Sequence, residues 1–322
     1  KIKYMEKLFI GIDIGGMSAK AGLVTLDGKI LSKLTAKTDA SMDEAVFLPL
    51  IKNLILDLIK QAGVSLSDIG GIGMGFPGSI DDEAGVIRYC CNLNLRNAPF
   101  AVNLKKALGF DGEVKLSNDA NIAALAEAKF GAAKGMKDVV LITIGTGIGT
   151  GIISGGKMIT GNRSAGAEGG HMTIVAGGEL CGCGRRGCFE SYASTTALLK
   201  MAKEAAETNK ESMLYNEVKA GTLTGKTFFE CLDKGDAIAK EVMERYITYL
   251  GEGVVNYANI FYPEAIILGG GVSAQGDKLT VPVQKYLNEH VYGKEYNPPI
   301  KVVAATLGND AGIIGGAALF FD

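Results

Sequence analysis

The chain has 322 residues, 47% of them hydrophobic and 21% charged, with a net charge of −2. This is the balance of a soluble globular protein long enough for two domains. The absence of a basic stripe argues against a nucleic-acid partner, and the absence of a positive-then-apolar N-terminus makes the cytoplasm the expected compartment.

Lys1–Tyr4 read as residues ahead of a natural start at Met5. Leu8–Ile14 is an apolar run ending in D-I-G-G. Lys20–Leu26 and Lys29–Thr35 follow as strands, joined by an Asp27-Gly28 turn of hairpin type. Between Glu44 and Ala62 the large apolar residues at 47, 51, 54, 55, 58 and 59 share one helical face. Ser41 and Glu44 have capping-box spacing, Pro49 predicts a kink or a later start, and Gly63 closes the helix. Ile69–Phe76 reads as a strand, Pro77-Gly78 as a turn and Glu113–Leu116 as a short strand. Ser117-Asn118-Asp119 then supplies cap residues for an Ala-rich helix over Ala120–Phe130. Val139–Gly156 is apolar, but its six glycines fit paired strands and not a membrane span, so no membrane partner is expected. Helices over Thr195–Thr208 and Asp236–Phe261 follow, then a strand Ala265–Leu268 that runs into Gly269-Gly270-Gly271. A strand Ile300–Ala304 and an apolar helix from Ala311 close the chain. No low-complexity linker separates the halves, which places the junction at a hinge near residue 118.

An internal repeat ties these elements together. I-D-I-G-G (Ile12–Gly16) aligns with I-T-I-G-T (Ile142–Thr146), and D-G-K-I-L aligns with G-G-K-M-I (Gly155–Ile159). Each half opens as strand, glycine turn, strand, turn, strand. Glycine is needed where backbone N–H groups approach a phosphate closely, so two such turns facing across a cleft would grip one polyphosphate. No G-x-x-x-x-G-K-[ST] is present, which excludes a P-loop. Gly145–Gly149 is followed by a strand-like G-I-I-S and not by a helix, so it is no dinucleotide fingerprint.

Cys181, Cys183 and Cys188 fall within eight residues, and His171 lies ten residues upstream. Three thiolates and an imidazole make a closed tetrahedral site for structural zinc. Buried apolar cysteines or a disulfide are the other readings of this spacing. Glu168 and Glu190 bracket the cluster. Asp119 taken alone is a helix cap.

Together these motifs resemble the ROK family (repressors, open reading frames and sugar kinases) of the actin-like ATPase superfamily. The resemblance rests on C-x-C-G-x-x-G-C-x-E at Cys181–Glu190, D-I-G-G-x-x-x-K at Asp13–Lys20, and E-x-G-H at Glu168–His171. Asn118-Asp119 and L-G-N-D-A-G at Leu307–Gly312 extend it. It implies an α/β, two-domain actin-like ATPase (ribonuclease H-like) fold with a cleft between domains and a zinc-bound loop. Residues 1–118, completed by a C-terminal helix 308–322, would form the small domain, and 119–307 the larger one.

The implied activity is ATP-dependent phosphorylation of a hexose, glucose or a glucose-like sugar, at the 6-hydroxyl. N-acetylmannosamine, fructose, allose or a β-glucoside are alternative substrates. Asp119 would be the general base, with Gly78, Asn92, Asn118, Glu168, His171 and Glu190 holding the sugar. Asp13 would hold Mg²⁺. Gly15, Gly16, Ser18 and Lys20 would face phosphate from one half and Gly145, Thr146 and Gly147 from the other, with Gly269, Gly270 and Gly271 at the adenosine. His171, Cys181, Cys183 and Cys188 would hold the zinc, and the chain would form a homodimer or homotetramer. Met17 departs from the threonine usual in this phosphate turn, and C-C-N-L-N-L-R departs from the usual surround of the N-L segment. A repressor of this family needs a winged helix-turn-helix ahead of the first strand, and too few residues precede Leu8 to form one, which leaves a non-catalytic sugar-sensing regulator as the alternative class.

Overall fold

The computed structural model describes residues 7–90 and 92–321; the expected start at Met5 lies outside them. Contacts divide the chain into two compact units. One runs through Val139 and includes Gly151–Ala167 and the chain from Thr306; the other is Val140–Thr150 with Glu168–Ala305.

The first unit opens with strands β1 (Leu8–Ile14), β2 (Ser18–Val24) and β3 (Ile30–Lys37) as an antiparallel meander. The Asp27-Gly28 turn closes the hairpin, with Thr25 and Lys29 bonded across it. Helix α1 (Glu44–Ala62) buries Phe47, Ile51, Leu54, Ile55, Leu58 and Ile59, the face that the 3.6-residue period predicts. Its cap differs from expectation. Asp43, not Ser41, accepts the Val46 N–H, while Ser41 bonds to Asp39. The Asp43 cap also starts the helix ahead of Pro49, which lies inside it. Gly63 ends the helix in the left-handed region, as a C-terminal glycine should.

Strand β4 (Ile69–Phe76) lies parallel to β1. A small three-stranded sheet of β5 (Gly78–Asp81), β6 (Val86–Cys90) and β7 (Arg96–Ala98), followed by α2 (Phe100–Leu108), has no counterpart among the expected elements. Strand β8 (Glu113–Asn118) then pairs parallel to β4 and leads into α3 (Asp119–Phe130). The main sheet has the order β3-β2-β1-β4-β8.

Both faces of β1 are buried, and its side chains alternate between two packed clusters. Ile10, Ile12 and Ile14 pack in the core with α1, whereas Phe9 packs with Ile313 and Ala317. Side chains at Gly11 and Gly73 would collide with the backbone of residues 313–317: an added Cβ would lie 1.7 Å from the Ile313 carbonyl oxygen and 1.9 Å from that of Gly316. These glycines let the last helix lie directly on the sheet.

The next strands are β9 (Val139–Ile144), β10 (Ile148–Ser154) and β11 (Lys157–Met158). Helices α4 (Glu190–Ala193), α5 (Thr195–Thr208), α6 (Met213–Ala220), α7 (Gly225–Asp233) and α8 (Ala237–Phe261) follow. Then come β12 (Ala265–Gly269), α9 (Asp277–His290), β13 (Lys301–Ala304) and α10 (Ala311–Ala318). The second sheet has the order β11-β10-β9-β12-β13. Numbered within its own half, that is the order of the first sheet, so the repeat read from the strand–turn spelling extends to the topology.

The units do not divide at residue 118. Helix α3 belongs with the first unit because it packs on α10 through Ala126, Ala311 and Ile314. Its fully buried Glu127 accepts backbone N–H groups of Ala132 (2.7 Å), Thr306 (2.9 Å) and Leu307 (2.8 Å). The chain re-enters the first unit at this carboxylate. No helix among the described residues is long and apolar enough to cross a membrane.

Candidate active site

The β1–β2 turn carries the first phosphate motif. Gly15 N–H donates to the Ser18 carbonyl (2.8 Å), Thr38 Oγ1 donates to the Gly15 carbonyl (3.1 Å), and Thr38 N–H to the Met17 carbonyl (3.1 Å). The turn is thus clamped from β3's end while Met17 is left 84% exposed at its tip. Asp13, at the end of β1, lies 4.0 Å from Lys20 Nζ across the hairpin. Burial raises the Asp13 pKa above the usual carboxylate value, and the Lys20 ammonium opposes the rise. A Cβ on Gly312 would lie 2.5 Å from Asp13 Cγ, so the carboxyl group sits against the first turn of α10. Asn92, expected beside the sugar, rests its amide on Gly16, where an added Cβ would be 3.3 Å from Asn92 Cγ.

Strand β8 delivers Asn118 and Asp119 to the start of α3. Asn118 Oδ1 accepts from Ala120 N–H (2.9 Å) and Asn121 N–H (3.4 Å), and its Nδ2 donates to the Gly78 carbonyl (3.2 Å). Three residues expected at the sugar are therefore brought together within the first unit. Asn118 takes the capping role, and Asp119 occupies the first helical position, half-buried, where its Oδ1 accepts from Ala120 N–H (2.9 Å). A carboxylate there is favoured as the anion by the helix N-terminus.

In the second unit the turn between β9 and β10 occupies the place of the first turn but closes one residue tighter: Gly145 N–H donates to the Gly147 carbonyl (3.0 Å), two residues on, where Gly15 reaches three residues on to Ser18. After β12, Gly270 adopts a left-handed conformation and Gly271 begins a short 3₁₀ turn closed by Ser273, which donates to the Gly270 carbonyl.

The cysteine loop is folded by its own backbone. Cys181 N–H donates to the Arg185 carbonyl (2.8 Å) and Gly184 N–H to the Cys181 carbonyl (2.9 Å), which reverses the chain between the cysteines. Gly187 has φ +84°, and a Cβ there would sit 1.7 Å from the Val175 carbonyl oxygen, so only glycine fits. Arg185 fastens the loop to the His171 carbonyl (3.1 Å) and Thr173 Oγ1 (2.9 Å). The result brings His171, Cys181, Cys183 and Cys188 together, with their ligand atoms all within 4.8 Å of one another. Cys181 Sγ lies 3.6 Å from His171 Nδ1, and Cys183 Sγ lies 3.6 Å from Cys188 Sγ. Zinc–ligand bonds of about 2.0–2.3 Å in a tetrahedron require ligand separations of about 3.3–3.8 Å. The donor set fits zinc.

Glu168, ahead of this loop, has its pKa raised by partial burial of its carboxyl, with His171 opposing and Glu190 adding to the rise. Glu190 is the first residue of α4, and its Oε2 accepts the Ile148 N–H (2.9 Å). Motif reading missed Thr195 and Thr196, which hold the β9–β10 turn by Thr195 N–H to the Gly145 carbonyl (2.9 Å) and Thr196 Oγ1 to the Thr146 carbonyl (2.8 Å). A Thr-Thr pair at a helix start reads only as a cap. Tyr257 was also missed. Its buried hydroxyl has no partner of good hydrogen-bond geometry, lies near Thr150, and occupies the space a Cβ on Gly169 would need.

Two sheets of one strand order, with a glycine turn between the first two strands of each, define an actin-like ATPase fold. Within that class the chain belongs to the ROK family, whose sequence model matches residues 9–322. A glucokinase from Halalkalibacterium halodurans is 36% identical over 98% of this chain and 95% of its own length. The crystal structure of a ROK family glucokinase from Streptomyces griseus, in complex with glucose and AMPPNP, superposes with a TM-score of 0.82 at 35% identity, covering 97% of this chain and 98% of that one. A xylose repressor from Caldicellulosiruptor bescii is 29% identical over 96% of this chain and 77% of its own length.

Proposed function

We propose that this chain is an ATP-dependent hexose kinase that transfers the γ-phosphoryl group to the 6-hydroxyl of glucose or a glucose-like sugar. The observation that carries the reading is the Asn118–Asp119 pair. Asn118 caps α3 and holds Gly78, and Asp119 follows it at the first position of α3, its Oδ1 on the Ala120 N–H, so the two side chains stand together at the helix N-terminus. Full-length similarity to named glucokinases supports the same activity.

Asp119 accepts the hydroxyl proton. A weak base suffices, because phosphoryl transfer depends mostly on positioning and charge stabilisation. Asn118, Glu168, His171 and Glu190 hold the sugar by side-chain hydrogen bonds to its hydroxyls, with Gly78 contributing through its backbone and Asn92 as a further sugar-binding residue. Gly15, Gly16, Ser18, Lys20, Gly145, Thr146 and Gly147 hold the phosphates, with Gly269–Gly271 at the adenosine. Asp13 suits Mg²⁺, since a carboxylate that burial makes costly gains most from a cation; Mg²⁺ there would neutralise phosphate charge. His171, Cys181, Cys183 and Cys188 suit zinc, which would supply a rigid four-ligand frame. With Nδ1 toward that frame, His171 keeps Nε2 for a sugar hydroxyl.

N-acetylmannosamine, fructose, allose or a β-glucoside are the competing substrates. An assay of ADP release over these sugars and glucose tests the reading: glucose should give the highest kcat/KM, and no release with any hexose would overturn it. The repressor relative supports one other reading, a regulator that binds sugar without releasing ADP, which the same assay separates. The family resemblance further supports a homodimer or homotetramer in the cytoplasm, and light scattering of the purified protein tests the assembly.

A further inference from the structure

The residues that follow the last cysteine do more than lead out of the metal loop. Cys188 is followed by Phe189, whose fully buried ring fills the space beside Gly253 of α8; a Cβ on Gly253 would lie 2.3 Å from it. That ring fixes where the next residue, Glu190, begins α4. The two carboxylate oxygens of Glu190 then face different groups. Oε1 lies 3.6 Å from Cys181 Sγ of the metal cluster, while Oε2 accepts the Ile148 N–H at 2.9 Å. An added Cβ on Gly147 would lie 2.3 Å from Oε2, so the carboxylate presses directly on the phosphate turn. Thr195 and Thr196, a few residues further on, hold the carbonyls of Gly145 and Thr146 in the same turn. Three hydrogen bonds that shape residues 145–148 therefore come from one segment, 190–196, anchored at Cys188.

We propose that Glu190 is a positioning residue for the nucleotide-phosphate turn at Gly145–Ile148, and that through it the His171–Cys181–Cys183–Cys188 cluster controls nucleotide affinity as well as sugar affinity. This rests on the kinase reading above and adds to it. A carboxylate accepts at both oxygens, whereas a glutamine amide accepts at one only. Glu190→Gln must therefore present an NH₂ group either to the Ile148 N–H or to Cys181. If the first, the turn loses its anchor; if the second, an N–H donor replaces a carboxylate oxygen beside the Cys181 sulfur and the link between turn and cluster is altered. Thr196→Val removes a different anchor of the same turn and touches no ligand of the cluster.

The test measures AMPPNP and glucose binding separately by calorimetry, with amide exchange of the 145–149 peptide followed by mass spectrometry. It compares the zinc-loaded wild type, Glu190→Gln, Thr196→Val, and wild type treated with a zinc chelator. Glu190→Gln and chelation are each expected to weaken AMPPNP roughly tenfold and to speed exchange at 145–149. Thr196→Val is expected to weaken AMPPNP severalfold with glucose affinity unchanged. Chelation of Glu190→Gln should add little further loss of AMPPNP binding, because both act through one link. Unchanged AMPPNP affinity and unchanged exchange in Glu190→Gln and in the chelated protein would overturn the proposal, while the kinase reading would stand if wild type binds both ligands. A wild type that binds neither ligand would overturn both.

Discussion

Single residues decide the chemistry here, and two of them carry predictions. Met17 stands 84% exposed at the tip of the first phosphate turn, where a threonine would offer a hydroxyl to the nucleotide. Met17→Thr is expected to lower KM for ATP severalfold without changing KM for sugar; steady-state kinetics with each substrate varied checks it. Glu127 is the opposite kind of residue, buried and fully engaged. Glu127→Ala would leave the N–H groups of Ala132, Thr306 and Leu307 without their acceptor. At about 1 kcal/mol for each lost hydrogen bond to the buried carboxylate, denaturant melts should show a loss of about 3 kcal/mol. Glu127 was not legible as important, because a glutamate in an Ala-rich helix reads as a solvated side chain. Asp13, Asn118, Asp119 and the cysteine cluster were legible, since each sits in a local motif whose spacing carries the chemistry. Thr195 and Thr196 were not, because their partners lie about 50 residues away in sequence.

At the scale of elements, the long amphipathic helix α1 and the strands β1 and β4 could be read to their ends from period and punctuation. Helix α3 shows where that reading stops. Ala120, Asn121, Ile122, Ala124, Ala126, Glu127 and Ala128 are all buried, so it has no single apolar stripe to show which unit it joins. The strands β5, β6 and β7 span 4, 5 and 3 residues, too short to carry a period. Helix α9 carries Pro282 inside it and begins without a side-chain cap, which hides its start. One cap elsewhere yields a pH prediction. Asp236 caps α8 through Ala239 N–H (2.8 Å) and also accepts Met213 N–H (2.6 Å) at the start of α6. Burial works to raise its pKa, but the N–H groups of Ala239, Met213 and Ile238 and the Ser212 hydroxyl outweigh it and hold the pKa below the usual value. A depressed carboxylate stabilises the fold fully above its unfolded pKa, about 3.9, and that stability is lost as pH falls through the lower folded value. Asp236→Asn should therefore unfold more easily than wild type at pH 7, by about 1–2 kcal/mol. The gap should narrow below about pH 4 in thermal melts.

Across the whole molecule, one strand order is used twice, and each copy places a glycine turn after its first strand. That duplication was visible in sequence because turn residues and apolar strands recur in register; the division of the chain into units was not, since it depends on the packing of α3 against α10. Purified protein is expected to hold about one zinc per chain, as a closed four-ligand site requires, and metal analysis with melting before and after chelation checks this through a lowered Tm. The account as a whole stands on Asp119 acting on a bound sugar. Its most direct test pairs glucose binding by calorimetry with glucose-dependent ADP release, for wild type and Asp119→Asn. The expected result is glucose affinity within a few-fold of wild type and turnover reduced by about 10²–10⁴-fold. Turnover at the wild-type rate in Asp119→Asn would contradict it.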